Sequence, residues 1–98
     1  MAQFRAYRLA GGDLVLDLQS DLIDTPTRVV ALLAPVGPRV KALTRLEPVF
    51  EMDGTPHVLL TAQLAAVPAR LVAGEAVADL RGADYAIRGA LDMLFSGF

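Results

Sequence analysis

Three aspartates lie close together in the sequence and could do chemistry as a group. Asp17, Asp21 and Asp24 offer carboxylate oxygens that could bind a divalent cation or act as an acid and base pair. Their spacing does not fit the calcium-binding loop, because no Gly or terminal Glu lies where that loop requires one. The segment Asp24-Thr25-Pro26 is typical of a turn in which side-chain oxygens accept hydrogen bonds from main-chain N–H groups. We therefore predict a structural role for these aspartates and no metal site.

The nucleophiles and bases that an enzyme would need are scarce. His57 is the only imidazole, and no Ser or acidic residue stands at a fixed local spacing from it to form a triad. Ser20 and Ser96 have no recognisable activating neighbour. Gly11-Gly12 is not followed by the start of a helix and so does not form a phosphate-binding loop. The residues alone thus give catalysis little support and show no motif for a cofactor.

Length and composition limit the class of protein. The 98 residues contain no cysteine, fit one domain over residues 1–98 and cannot form a disulfide scaffold. The apolar fraction of 54% is high for so small a domain, which predicts that a partner, most simply a second copy, covers part of the surface. The longest charge-free stretches, residues 29–38 and 58–69, are too short to span a membrane, and we expect a cytoplasmic protein.

The charge distribution gives little support for binding to nucleic acid. The net charge of −2 argues against a non-specific binder, which needs clustered basic residues. Arg5, Arg8, Arg28 and Arg39 could form a basic face for RNA. Acidic residues lie nearby, and the pattern does not match the aromatic platforms on which RNA bases stack. A solvated face is the better interpretation of these arginines.

The first two thirds of the sequence have the pattern of β-strands. Residues 3–8 and 14–19 alternate apolar and polar side chains around Gly11-Gly12, which predicts an antiparallel hairpin. Residues 28–33 are nearly all branched and apolar and predict a strand covered on both faces. Asp53-Gly54 between two apolar runs predicts a second hairpin, which the nearby prolines make short or place at a sheet edge.

The remaining segments have other patterns. Residues 39–46 fit a short helical turn, and residues 69–72 predict a last short strand. From residue 83 the apolar positions follow the period of an amphipathic helix: Ala83, Ala86, Ile87, Ala90, Leu91, Leu94 and Phe95. Gly97 would end this helix, and Gly89 inside it predicts a close contact with another element. Short strands followed by one helix predict a β-rich α+β domain.

Two places in the sequence carry large apolar residues whose burial the pattern does not decide. Leu22 and Ile23 stand between two aspartates at a predicted strand end or loop. One interpretation is that they plug the core, and the other is that they form an exposed contact at an interface. Phe98, just beyond the predicted helix, either folds back on the domain or anchors a partner.

Several runs of the sequence are specific enough to compare with a known family. The most specific run is Gln-Ser-Asp-x-Ile-Asp-Thr-Pro, at residues 19–26. Further runs are Gln3-Phe4-Arg5, Leu16-Asp17-Leu18, Leu46-x-Pro48-Val49, Val67-Pro68, Gly74-Glu75-x-Val77-Ala78-Asp79-Leu80 and Leu94-Phe95-Ser96-Gly97-Phe98. Through these runs, over essentially its whole length, the chain resembles the CcdB family of plasmid-maintenance toxins.

The resemblance implies a compact antiparallel β-barrel of the SH3-like, CcdB/MazF toxin type with one C-terminal helix. It implies a homodimeric toxin of a type II toxin–antitoxin system that binds the A subunit of DNA gyrase and traps the cleaved DNA complex. A disordered tail of a CcdA-like antitoxin would wrap the dimer and remove it from its target. Such a toxin binds one state of the target more tightly than the others and catalyses nothing.

The resemblance also implies where gyrase binds. The matching positions are Leu22, Ile23, Asp92, Phe95, Ser96, Gly97 and Phe98. Gly97 agrees with the family pattern, and Phe98 replaces an aliphatic residue with another large apolar one. Ser96 replaces a tryptophan, the kind of side chain whose truncation at an interface often costs about 2 kcal/mol or more. Asp92 replaces a neutral amide with a charge.

Three alternatives follow from these departures. With Ser96 in place of tryptophan, the protein has either kept gyrase poisoning with compensation from Phe98 or lost it. A ribonuclease of the MazF type is the second alternative, because that toxin family shares the fold. The third is a dimeric binding module without toxicity.

Overall fold

The structure, a computed structural model, describes residues 2–37 and 45–98. The strands in this part of the chain are β1 (Arg5–Arg8), β2 (Leu14–Asp17), β3 (Thr27–Pro35), β4 (Val49–Met52), β5 (Thr55–Pro68) and β6 (Ala78–Asp79). The helix α1 (Asp84–Ser96) follows, and short 3-10 helices form at Ala69–Val72 and Arg81–Ala83. Most of the segment predicted to form a helical turn, residues 39–44, lies outside the described residues, as does Arg39 of the predicted basic face.

The strands form one antiparallel sheet in the order β4-β5-β3-β2-β1-β6. The sheet curls into a nearly closed barrel, with α1 at the C-terminal end of the chain. Consecutive strands β1 and β2, β2 and β3, and β4 and β5 pair directly, so short local connections build most of the sheet. The predicted antiparallel barrel with one C-terminal helix is confirmed.

Both predicted hairpins are present. Asp53 and Gly54 have φ angles of 53° and 76°, the positive values that a tight two-residue turn between twisted strands requires. Gly12, in the turn between β1 and β2, has a φ of 97°. The strand β4, which begins next to Pro48, is short and lies at the edge of the sheet, as the prolines indicated.

The long strand β5 bends where its pairing with β3 is interrupted. Ala31 and Leu32 are neighbours in β3, but their partners are Leu64 and Leu60, so residues 61–63 of β5 are inserted between two ladders. The Thr61 hydroxyl is buried at this bend and donates a hydrogen bond to the main-chain oxygen of Leu46 at 2.6 Å. The bend lets the two halves of β5, residues 57–60 and 64–68, pair with β3 in two parts of the curled sheet.

The prediction of a strand at residues 69–72 is wrong. Ala69–Val72 is a 3-10 helix, and it begins where the Ala69 main-chain N–H donates to the Pro26 oxygen at 2.9 Å. Its fully buried residue, Val72, packs against Tyr7, Val15 and Val30. A four-residue apolar run is too short to distinguish the period of a strand from that of a helix, and the tertiary contact of Val72 decides between them.

The sheet has apolar residues on both faces. Leu16, Leu59 and Ile87 are fully buried in the larger cluster, on one face, and Val15 and Val30 belong to the smaller cluster on the other. Successive residues of β2 and β3 therefore point into different clusters, which confirms coverage on both faces for residues 30–33, whereas Val29 is exposed.

The helix α1 attaches to the barrel by one stripe of side chains. Ile87 and Ala90 are fully buried, as the apolar period predicted, but Ala86 and Phe95 of the same predicted stripe are exposed, so the prediction is wrong for these two residues. Among the described residues Gly89 makes no close approach, because a Cβ placed there would meet nothing nearer than the Arg45 Nε at 3.9 Å, so the predicted close contact is not found within residues 2–37 and 45–98. No helix in the described part of the chain is long and apolar enough to cross a membrane.

Candidate functional site

The largest exposed apolar side chains include those that the family resemblance implied for target binding. The exposed fractions are 92% for Leu22, 53% for Ile23, 71% for Phe95 and 77% for Phe98 in the single chain. The interpretation of Leu22 and Ile23 as a core plug is therefore wrong, and Phe98 does not fold back on the domain. Single exposed apolar residues are normal on a monomer, but here Leu22 and Ile23 are neighbours and Phe95 and Phe98 are only three residues apart, which makes both segments candidates for contact with a partner.

The end of α1 and the two residues after it display five of the implied residues together. Because Ile87 and Ala90 face the barrel, Asp92, Phe95 and Ser96 fall on the outer side of the last turns and are exposed. Gly97 is also exposed and ends the helix in the left-handed conformation, with a φ of 81° and its N–H donating to the Met93 oxygen at 3.0 Å. The chain leaves the helix axis there, as the sequence predicted, and Phe98 projects beyond the helix end.

Leu22 and Ile23 lie at the corner of a tightly bonded turn. The Ile23 N–H donates to the Ser20 main-chain oxygen at 3.1 Å, and the Leu22 N–H donates to the Ser20 hydroxyl at 3.2 Å. The Gln19 amide nitrogen donates to the Ile23 oxygen and to the Thr25 hydroxyl, each at 2.9 Å. These bonds satisfy the main chain of the turn internally, so its apolar side chains can face solvent on an ordered backbone.

A buried ion pair lies beneath this turn. Arg28, with 4% of its side chain exposed, donates to the fully buried Asp17 at 3.1 Å from Nε and pairs with it at 3.0 Å through Nη2. Burial raises the pKa of the Asp17 carboxyl, because desolvation disfavours the charged form, and the Arg28 guanidinium opposes this shift. Arg28 is therefore no part of a solvated basic face, and that prediction is wrong for this residue.

The structural role predicted for the aspartates is confirmed for two of the three. Asp17 accepts from the Gln19 N–H at 3.2 Å and from Arg28, and Asp21 accepts from Arg28 at 3.0 Å. Asp24 makes no hydrogen bond or ion pair with the part of the chain that the structure describes. Within residues 2–37 and 45–98, no group of three or more His, Cys, Asp or Glu side chains could hold a metal ion.

The sequence did not predict the Arg28 pair, although a signal for it exists. Arg28 stands next to the start of a strand predicted to be covered on both faces, where a charge must find a partner. Asp17 ends the preceding strand and pairs in register with Val30, two residues from Arg28. A search for opposite charges at nearby positions of the two neighbouring strands would have identified the pair.

The segment before β1 connects the turn to the helix. The Gln3 N–H donates to the Asp21 carboxylate at 3.1 Å. The next residue, Phe4, is buried in the larger core cluster with the unusual positive φ of 66°, and the guanidinium of Arg88 in α1 lies 5.2 Å from the centre of its ring. Gln3 thus contacts the turn that carries Leu22 and Ile23, and the adjacent Phe4 contacts the helix that carries Phe95.

The other residues considered for chemistry are not assembled into a site. The His57 Nδ1 lies 2.9 Å from the Thr55 main-chain oxygen, and the Ser20 hydroxyl accepts from Leu22. In the described ranges no hydrogen bond joins His57 to Ser20 or to Ser96. The arrangement offers apolar surface for binding and no assembled nucleophile and base.

The comparison with protein families agrees with this description. The model of the CcdB protein family matches residues 3–97, which is nearly the whole chain. The match includes both exposed apolar segments, except for Phe98 at the end of the second. With its barrel, its C-terminal helix and a family match of this extent, the chain belongs to the CcdB family, the toxins of toxin–antitoxin systems.

Proposed function

We propose that this toxin acts as a homodimer that binds the A subunit of DNA gyrase and traps the cleaved DNA complex. Leu22, Ile23, Phe95 and Phe98 would form the apolar part of the contact, with Asp92, Ser96 and Gly97 beside them. The single observation that supports this most is the exposure of these large side chains on two ordered segments. A CcdA-like antitoxin would neutralise the toxin, and both would act in the cytoplasm.

The apolar groups have the properties of binding anchors. An aromatic side chain buries about 150–250 Å² when it is covered, and a few such residues supply most of the binding energy at an interface. The turn that holds Leu22 and Ile23 is closed by hydrogen bonds, so less conformational freedom is lost on binding. A toxin of this kind needs no catalytic group, because preferential binding to one state of the target is enough to stop its cycle.

A second copy of the chain would enlarge the apolar surface available for binding. Phe95 and Phe98 at the end of one helix offer a small apolar area, and two such helix ends related by a two-fold axis would double it. The high apolar fraction of the sequence, 54%, is also expected of a chain that covers part of its surface with a copy of itself.

The alternative of a MazF-type ribonuclease has less support. Its basic face would have included Arg28, which is buried in an ion pair with Asp17. Loss of gyrase poisoning is the stronger alternative, since Ser96 supplies almost none of the area of a tryptophan.

Binding to gyrase and toxicity together test the proposal. We expect the purified protein to bind a gyrase A fragment in calorimetry, and its expression to arrest growth and yield linearised plasmid DNA in a gyrase-sensitive host. A protein that binds no gyrase A and leaves the host growing would contradict the proposal. Cleavage of structured or single-stranded RNA by the purified protein would favour the ribonuclease instead.

Replacement of Ser96 by tryptophan is expected to strengthen this binding. Ser96 is exposed at the last position of α1, so the indole would meet the target without disturbing the core. A buried indole is worth about 2 kcal/mol or more, which predicts roughly thirtyfold tighter binding to a conventional gyrase A fragment. Ala86→Trp, at an exposed position earlier in the helix, is the control for non-specific binding by an added tryptophan. An unchanged Kd for Ser96→Trp in calorimetry would refute the role of an aromatic anchor here.

A further inference from the structure

The Asp21 carboxylate joins the exposed turn to the barrel at two points. It accepts from the Arg28 Nη2 at 3.0 Å and from the Gln3 N–H at 3.1 Å, although 57% of the Asp21 side chain is exposed. Leu22, the most exposed of the large apolar residues, follows it directly in the chain. The residue that precedes the apolar pair is thus attached to two different segments of the fold.

Arg28 is a fixed point for this attachment. Its guanidinium is held by the buried Asp17 and donates to the Gln19 main-chain oxygen at 2.8 Å. A buried, multiply bonded guanidinium has a planar and rigid set of donors, so the direction in which it holds Asp21 is defined. Arg28 is therefore held by contacts that solvent hardly reaches, and it gives the partly exposed Asp21 a fixed partner in the barrel.

We propose that Asp21 is a positioning residue for target binding: held by Arg28 and Gln3, it keeps Leu22 and Ile23 in their binding orientation before the target arrives. This inference rests on the proposed function, since it assumes that these two side chains contact gyrase A. Its physical basis is preorganisation, because side chains that are already ordered lose less freedom when they are covered.

The contacts of Asp21 contribute to the shape of the turn more than to the stability of the fold. Without Asp21, Arg28 keeps the Asp17 carboxylate and the Gln19 oxygen as partners, so no buried charge is left unpaired. Exposed ion pairs contribute little to the free energy of unfolding. Truncation of Asp21 is thus expected to leave the protein folded.

The test compares Asp21→Ala with Asp24→Ala, which removes the same charge from the same loop. Asp24 has no bond to the described residues, so its loss should leave binding to a gyrase A fragment within about twofold. We expect Asp21→Ala to weaken that binding by roughly fivefold or more in calorimetry, with the midpoint of urea unfolding unchanged. Equal affinities of the two variants, with the unmodified protein binding tightly, would overturn the inference. Absence of binding by the unmodified protein would instead overturn the proposed function.

A double-mutant cycle with Leu22→Ala separates positioning from direct contact. If Asp21 acts through Leu22, removing its carboxylate should change the Kd by less than about twofold once Leu22 is an alanine. If Asp21 contacts the target itself, the loss should be the same in both backgrounds, and this result would contradict the inference. Amide exchange at Leu22 and Ile23 in the free protein is expected to be faster in Asp21→Ala than in Asp24→Ala.

Discussion

Deletion of Ser96, Gly97 and Phe98 is expected to abolish binding to gyrase A while the dimer stays intact. These residues are all exposed, so their removal uncovers no part of the core that Ile87 and Ala90 fill. The deletion removes one of the large apolar anchors and the glycine that ends the helix. The loss of one such anchor alone predicts binding weaker by roughly thirtyfold or more. With the end of the helix removed as well, we expect no measurable binding to a gyrase A fragment in calorimetry.

The control for this deletion is another exposed aromatic side chain on the same helix. Tyr85, in the first turn of α1, is almost fully exposed and lies outside the proposed surface. Tyr85→Ala should bind gyrase A as the unmodified protein does, and both should sediment as dimers in ultracentrifugation. An aggregated or monomeric deletion product would show that residues 96–98 are structural. Normal binding to gyrase A by the shortened chain would show that these residues do not belong to the binding site.

Ile87→Ala is expected to give the largest loss of stability among the substitutions considered. Ile87 is fully buried where α1 meets the larger core cluster, and truncation of such a side chain leaves a cavity. The expected decrease in the free energy of unfolding is about 2–5 kcal/mol. In a domain of this size that lowers the melting temperature by about 4–8 °C for each kcal/mol. Urea unfolding at one fixed protein concentration measures the change, since the proposed dimerisation would make apparent stability depend on concentration.

Ile23→Ala makes the same chemical change at a largely exposed position. It should lower the free energy of unfolding much less than Ile87→Ala does, because 53% of the Ile23 side chain is already exposed and Ile23 belongs to neither core cluster. It should nevertheless weaken binding to gyrase A, which Ile87→Ala should leave unchanged at temperatures where that variant stays folded. Equal losses of stability in the two variants would contradict the distinction between the core and the binding surface.

Much of the fold could be predicted from local patterns. Alternating residues predicted β1 and β2, Asp53-Gly54 predicted the β4–β5 turn, and the apolar period predicted α1 up to Gly97. Each of these features depends on the conformations of neighbouring residues, which the sequence specifies directly. The failures include the strand at residues 69–72 and, among the described residues, the close contact at Gly89, both of which depend on what lies across from the segment.

The sequence by itself determined the strand and helix pattern, the turns and, through its motifs, the family to which the chain belongs. Only the tertiary structure decided that Leu22 and Ile23 are exposed and that Arg28 is buried. The reason is that burial depends on neighbours brought together from distant parts of the chain. Asp17 and Gln19 supply the partners that let an arginine lie inside the barrel, and the bonded turn above it leaves two apolar side chains facing outward.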